Sequence, residues 1–388
     1  MNSHLYLENM INTYKQEKND SDSSQQSIHW EKYNKKKDNK FLNPDNLINF
    51  RKNKILSDGL DDSELLRNKR NLRELIDTFD SEFIKKNLPK KNIGNCHNSI
   101  NFKGGWFDLG LFHLLKRYER IQKYIQNNFF VLEIGGGFGE FSRIILNNKN
   151  VKYFLIDLPE SNLMCNYYLQ SHFPQKKIFN YSDYKKYKLE DNIKNFDIFI
   201  LPSRTLVNQD IKFDFIINTS SFMEMNKDII HKYFDMIQNK TKQSGYFLNI
   251  NRYMKNSVNE EIKFDEYPYD NLWNVEISEE AYLLPGAHLL LVKRTSEKGN
   301  IENELLKIKN ISLLKNARLK ILKENFFWFV KKSLFTILKF IFTLLLSSKI
   351  LKKLSNKIYN ISERPLLTLL FGKKFLKKIS SIIENFTE

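Results

Sequence analysis

Val131-Leu132-Glu133-Ile134-Gly135-Gly136-Gly137-Phe138-Gly139-Glu140 is the stretch on which the reading of this chain turns. Phe129 to Ile134 is a short apolar run that reads as a buried parallel strand. Glycines follow at once, and Phe141 to Leu146 then reads as an amphipathic helix. Strand, glycine turn and helix start make the first half of a nucleotide-binding α/β unit. Glycine is needed there because the turn is tight and a ligand must approach bare backbone. The helix N-terminus adds free N–H groups and the positive end of a dipole. A dinucleotide fingerprint, G-x-G-x-x-G, would put its third glycine at position 140, where Glu140 stands. The pattern present is Glu-x-Gly-x-Gly-x-Gly, beginning at Glu133.

That pattern resembles motif I of the class I S-adenosylmethionine-dependent methyltransferases. A carboxylate at Glu133 suits a ligand carrying an ammonium and a sulfonium and would repel a pyrophosphate. The same unit asks for an acidic residue at the end of the next strand, about 20 residues on, to hold ribose hydroxyls. Val151 to Ile156 is that strand and Asp157 ends it. The resemblance therefore implies S-adenosylmethionine as cofactor, held by Glu133, Gly135, Gly137, Gly139, Asp157 and Leu158.

A chain of 388 residues has room for two or three domains. Two cysteines, Cys96 and Cys165, make no disulfide framework, which points to a reducing compartment. No CxxC or His/Cys cluster suggests zinc, and no metal site is expected. The first residues are polar, without an export-type apolar stretch, so a cytoplasmic location is expected. The net charge is +17. From Ile301 onward there are 18 Lys/Arg and 6 Asp/Glu, so about +12 of it lies in the last quarter.

Four segments are expected. Residues 1–40 are polar and read as flexible. Residues 41–128 read as a helical lobe: Asn43-Pro44-Asp45 is a helix-start signal, Asp61-Asp62-Ser63-Glu64 opens a helix to about Phe83, and another runs from Leu109. Residues 129–295 alternate strand and helix. Their strands are expected at 178–181, 198–201, 213–218, 245–251 and 288–294, with the third place in the sheet open between the first two and 198–201 preferred. The expected class is α/β, a Rossmann-like sheet, and the methyltransferase resemblance implies that its last strand is antiparallel. Residues 296–388 form a basic, amphipathic helical tail.

With these residues in place the resemblance sharpens. Leu132 to Gly139, Ile156-Asp157-Leu158-Pro159-Glu160, Phe213 to Met225 and Pro285 to Leu291 are similar to the sugar O-methyltransferase family of bacterial surface-polysaccharide gene clusters. Asn49-Phe50-Arg51 and Gly94-Asn95 fit its N-terminal part, and the resemblance spans about residues 45–295. In an open α/β sheet ligands sit beyond the carboxyl ends of the strands. Three places reach that edge: Ser220 to Glu224, Asn249 to Arg252, and His288 at the start of an antiparallel strand. His288 and Glu224 are therefore the candidate bases, and Ser221, Asn251 and Arg252 the candidate substrate contacts.

The tail is read separately. In 325–348, Lys332, Thr336, Lys339, Thr343 and Ser347 recur at spacings of four, three, four and four among Phe, Leu and Ile. That is one narrow polar stripe on an apolar helix. Lysines interrupt it too often for a membrane span, so a helix lying on an anionic membrane surface is expected for 325–388, on the inner face of the cytoplasmic membrane, the alternative being a helix packed on the catalytic domain or in a dimer. The functional expectation is an O-methyltransferase acting on a sugar, nucleotide-sugar or glycan acceptor. An RNA methyltransferase and a nonenzymatic membrane-tethered binding module are the rivals. No nucleic-acid partner is expected, because the lysines cluster with Phe/Leu helices and not on the core.

Overall fold

Leu7, Met10, Ile11 and Tyr14 recur at helical spacing, and all four are buried. The polar N-terminal segment, expected to be flexible, is therefore ordered as helix α1 (Ser3–Asn19), followed by α2 (Ile28–Lys35). Each of these side chains contributes on the order of 1.5–3 kcal/mol by leaving water, which offsets the ordering of a sequence otherwise poor in apolar residues. The computed structural model describes residues 3–21, 27–35, 38–52, 56, 74–256, 258–282 and 286–315.

The lobe is mixed rather than all helical. Residues 74–76 are helical and the chain turns over 77–79. A separate helix α3 (Ser81–Asn87) follows Asp80, whose carboxylate accepts the N–H groups of Glu82 and Phe83, so the helix expected to run to about Phe83 is interrupted before it. The start expected at Asp61 lies outside the described residues. A hairpin of β1 (Ile100–Phe102) and β2 (Gly105–Phe107) follows, then α4 (Leu109–Ile121), capped by Asp108. The Asn49-Phe50-Arg51 and Gly94-Asn95 pieces meet: Arg51 N–H donates to Gly94 O (2.9 Å) and Asn95 Nδ2 to Asn49 Oδ1 (2.8 Å).

The sheet comprises β3 (Phe130–Ile134), β4 (Lys152–Ile156), β5 (Ile178–Phe179), β6 (Ile198–Leu201), β7 (Phe213–Thr219), β8 (Thr241–Arg252), β11 (Trp273–Glu280) and β12 (Ala287–Arg294). A small hairpin, β9 (Met254–Asn256) with β10 (Glu261–Lys263), leaves β8 before β11. The order is β5-β6-β4-β3-β7-β8-β12-β11. Pairings from β5 to β8 are parallel, and β12 runs antiparallel to both its neighbours. Both 178–179 and 198–201 are thus strands, with β6 beside β4 and β5 at the edge. Val131 packs to one side of the sheet, Leu132 and Ile134 to the other. Helices α4, α5 (Glu140–Asn148) and α6 (Pro159–His172) cover the first face, and α7 (Lys227–Lys240) the second. This is a Rossmann-like α/β sheet with helices on both faces.

Asp214, in the Phe-Asp pair that opens β7, accepts Phe130 N–H (2.8 Å) and the Lys242 ammonium (2.9 Å). It fastens three neighbouring strands at the edge remote from any ligand. The expected break at Arg294 also moves. Residues 301–315 are helical, with Ile301 and Ile308 fully buried in the core under α7, and the unit they belong to ends at Ser312. The tail stretch 325–348 lies outside the described residues. Among the described residues no helix is long and apolar enough to cross a membrane.

Truncation tests this boundary. A chain ending at Ser312 should fold and melt cooperatively. One ending at Arg294 should lose about 3–6 kcal/mol from the two isoleucines, read as a lower melting midpoint or insoluble protein.

Candidate functional site

The carboxyl ends of β3, β4, β6 and β7 open into a cleft of about 1020 Å³, counted to its solvent mouth. Gly135 and Gly137 line it from the β3 turn, Asp157 and Leu158 from β4, Ser203 and Arg204 from β6, and Ser220, Ser221 and Glu224 from β7. The N-terminal segment closes one side with Lys18 and Trp30.

Asp157 ties the walls together. Its Oδ2 accepts Gly137 N–H (2.8 Å) and its Oδ1 accepts Leu158 N–H (2.7 Å). The Ser161 hydroxyl bonds the carboxylate as well, so of its roughly four acceptor sites one remains for a ligand hydroxyl. Burial pushes the carboxyl up to about 6, against the lowering effect of those N–H donors and of the Ser161 hydroxyl. Gly137 has φ +59°, and a Cβ there would meet nothing within 4 Å, so its bare backbone faces open cleft. Gly135 faces Ser221: a Cβ would come within 2.4 Å of Ser221 Oγ. Ser221 receives the Asn218 amide (2.5 Å) and donates to Ile134 O (3.2 Å). Ser220, with φ +64°, is held in the left-handed region while its N–H donates to Ile250 O (2.7 Å). Such strain in a non-glycine residue is kept where surrounding structure enforces it, often at functional sites.

Glu133 and Gly139 stand behind the cleft rather than in it. Glu133 was expected to meet the cofactor's ammonium. Its Oε2 instead accepts Ser142 Oγ (2.6 Å) and Tyr153 OH (2.7 Å), and its side chain is buried. Burial raises its pKa, and the two hydroxyls work against that rise. It braces the glycine turn from beneath. Gly139 has φ +89°, and a Cβ would lie 2.8 Å from Cys165 Sγ on α6, so this glycine serves helix packing.

His288 was expected to be a base at the strand edge. The register does put it there, opposite Asn251. Its ring, however, turns to the α7 face of the sheet. Nδ1 lies 3.1 Å from the Tyr253 hydroxyl, Nε2 lies 2.9 Å from Ser278 Oγ, and Phe264 packs edge-on. The segment after β8 folds back over it, with Phe264 N–H donating to Tyr253 O. His288 is a core residue and lines no part of the cleft.

Asn251 is likewise fully buried. It donates to Asn218 Oδ1 (2.8 Å) and Asn249 Oδ1 (2.6 Å) and accepts Met223 N–H (3.2 Å). It shapes the cleft wall at second hand. Arg252 is exposed and outside the cleft. Glu224 does line the cleft, and Lys255 Nζ donates to its Oε1 (2.6 Å). Lys18, Trp30, Arg204 and Tyr233 were not expected here. Lys18 and Trp30 carried no motif in a segment read as flexible, whereas the loop after β6 was open to the strand-end rule. Among the described residues no cluster of three or more His, Cys, Asp or Glu could hold a metal ion. Asp183 caps a helical turn, where it accepts Asn180 N–H.

No family model and no curated protein matches this chain. Solved structures are similar to part of it. A tRNA m1G37 methyltransferase of M. jannaschii is 17% identical, with 51% of this chain covering 57% of that one, at a TM-score of 0.32. Mitomycin 7-O-methyltransferase is 12% identical, with 43% covering 49%, at 0.32. TrmK of M. capricolum, in complex with S-adenosyl-homocysteine, is 12% identical, with 47% covering 69%, at 0.31. At these scores the likeness adds nothing to the topology above.

The glycines separate structural from ligand-facing roles. Gly137→Ala should cost only the left-handed backbone penalty, about 1–2 kcal/mol. Gly139→Ala should cost about 1–3 kcal/mol more from overlap with Cys165. Chemical denaturation of the two variants measures the difference.

Proposed function

We propose that this chain is an S-adenosylmethionine-dependent O-methyltransferase whose acceptor is a sugar hydroxyl of a surface polysaccharide or its precursor. One observation carries the cofactor reading: Gly137, with free space above its backbone, and Asp157, with unused acceptor capacity, face the same cleft. A cradle that a Cβ would fill, beside an acid able to take a hydroxyl, fits a nucleoside cofactor. The sugar acceptor is supported by the sequence resemblance alone.

Asp157 would take a ribose hydroxyl, and the Gly135 to Gly137 backbone would hold the amino-acid end, in place of the Glu133 carboxylate. When bound, S-adenosylmethionine supplies the electrophilic methyl group. The chain must align an acceptor oxygen and accept its proton. Glu224 is the cleft carboxylate suited to that, and its ion pair with Lys255 fixes its orientation. Ser221, bonded to Asn218 and the β3 backbone, holds the wall between Glu224 and the glycine turn.

Calorimetry with S-adenosyl-homocysteine tests the cofactor. Gly137→Val and Asp157→Ala should each weaken binding at least tenfold, and unchanged affinity in both would remove the assignment. Wild-type affinity should fall as pH drops through about 6, where Asp157 gains a proton and loses an acceptor. Asp157→Asn should lose that dependence. With acceptor present, Glu224→Gln should keep cofactor affinity and lose roughly 10²–10⁴ in turnover. Mass shifts in glycan and RNA acceptors decide the substrate: a shift in RNA alone would replace the sugar reading with an RNA methyltransferase.

The basic stretch 325–388 is proposed to bring the enzyme to an anionic membrane, on its sequence pattern. Full-length protein should co-sediment with phosphatidylserine vesicles and be released in part by salt, while a chain ending at Ser312 stays in solution. Equal sedimentation of both would end that reading.

A further inference from the structure

Helix α4 and the turn after it bring Lys116, Arg117, Arg120 and Lys123 to a second cavity, about 1060 Å³ counted to its mouth, against Glu119 and Glu279. Its other wall comes from the β11–β12 hairpin through Leu289. Three of the cations have partners. Arg120 grips Glu279 with two hydrogen bonds (2.8 and 2.9 Å). Lys116 bonds Glu119 (2.9 Å) and lies 4.1 Å above the Phe79 ring, and Lys123 lies 5.0 Å above Tyr124.

Arg117 differs. Its Nε is buried with no acceptor, and no carboxylate among the described residues pairs with it. Burial pushes its guanidinium down to about 10. One turn earlier, His113 Nδ1 is also buried without a partner. Arg117 as a whole is half-buried, and a guanidinium whose Nε is buried without an acceptor is costly, so an apolar side chain of the same length would be no worse for the fold alone. The guanidinium fork matches phosphate oxygens two at a time. Four cations against two carboxylates leave an excess that suits a doubly charged group better than a single carboxylate.

We propose that this cavity binds a phosphate or diphosphate group, with Arg117 in direct contact and Lys116 and Lys123 supplying the surrounding field. The inference is independent of the methyl-transfer reading, since none of these residues lines the other cleft.

The test is calorimetry of the full-length protein with inorganic pyrophosphate as probe, at ionic strength held constant with KCl. Saturable binding at one site is expected, with a rise in melting temperature. Arg117→Met, which keeps the aliphatic stem, should bind at least tenfold more weakly. Without pyrophosphate it should melt at or above the wild-type temperature. Absence of saturable wild-type binding, or wild-type affinity in Arg117→Met, would overturn the site. Should Arg117→Met fail to fold, Lys123→Gln decides: two- to fivefold weaker binding supports the site, and unchanged binding overturns it. Acetate competing as well as pyrophosphate would overturn the phosphate assignment.

Discussion

One carboxylate holds the cleft together. Asp157 ends β4 and accepts an N–H from the glycine turn after β3 as well as the N–H of Leu158. The ladder already joins the two strand ends, down to Gly135 N–H on Ile156 O (2.9 Å), and Asp157 extends that link to Gly137 in the turn. Charge-assisted hydrogen bonds of this kind are short and strong, and they settle the turn without using side chains from it. That leaves the Gly135 to Gly137 backbone bare toward the cleft. Glu133 supports the same turn from below through Ser142 and Tyr153. The two acids have divided the work: one faces the cleft and the other faces the core.

A second arrangement docks the lobe. Glu140, in the first turn of α5, accepts Arg143 Nε (2.8 Å) and Tyr168 OH (2.5 Å), and Arg51 lies 4.0 Å away. Arg51 reaches Asp108, the cap of α4, at 2.7 Å. Burial opposes ionisation of Glu140, and Arg143, Arg51 and Tyr168 outweigh it, so its carboxyl stays below its ordinary range. Buried charges persist when paired and hydrogen-bonded. This network joins the lobe to the helix that starts at the glycine turn, so lobe and cleft are set by the same few side chains. Arg117, lacking such a partner among the described residues, stands out against it.

The N-terminal helix adds the remaining wall. Glu17 is buried in α1 and accepts the Asn162 amide (2.7 Å), while Lys18 pairs with Glu160, both partners lying on α6. Burial raises the Glu17 carboxyl to about 8. Through Lys18 and Trp30 the cleft acquires polar and aromatic surface that the sheet does not supply.

Much of the fold was legible in the sequence because its signals are local. The apolar run before Gly135, the glycine spacing, Asp157 at the next strand end and the Phe-Asp pair opening β7 each depend on a few adjacent residues. They did not give the strand order: the third place in the sheet stayed open, β11 was not expected, and the antiparallel β12 came from the family resemblance. What the sequence alone also left undetermined was direction and burial. Glu133 and His288 sit at the expected strand ends, yet hydroxyls of Ser142, Tyr153, Tyr253 and Ser278, each on or beside another element, draw their side chains inward. Met1 to Lys40 looked polar by composition, and α1 is held by packing on α6 and its neighbours, which buries Leu7, Met10 and Tyr14 in the core. Periodicity determines which elements form. Which way a side chain at an element's end faces depends on packing partners on neighbouring elements, and only the tertiary structure decided that.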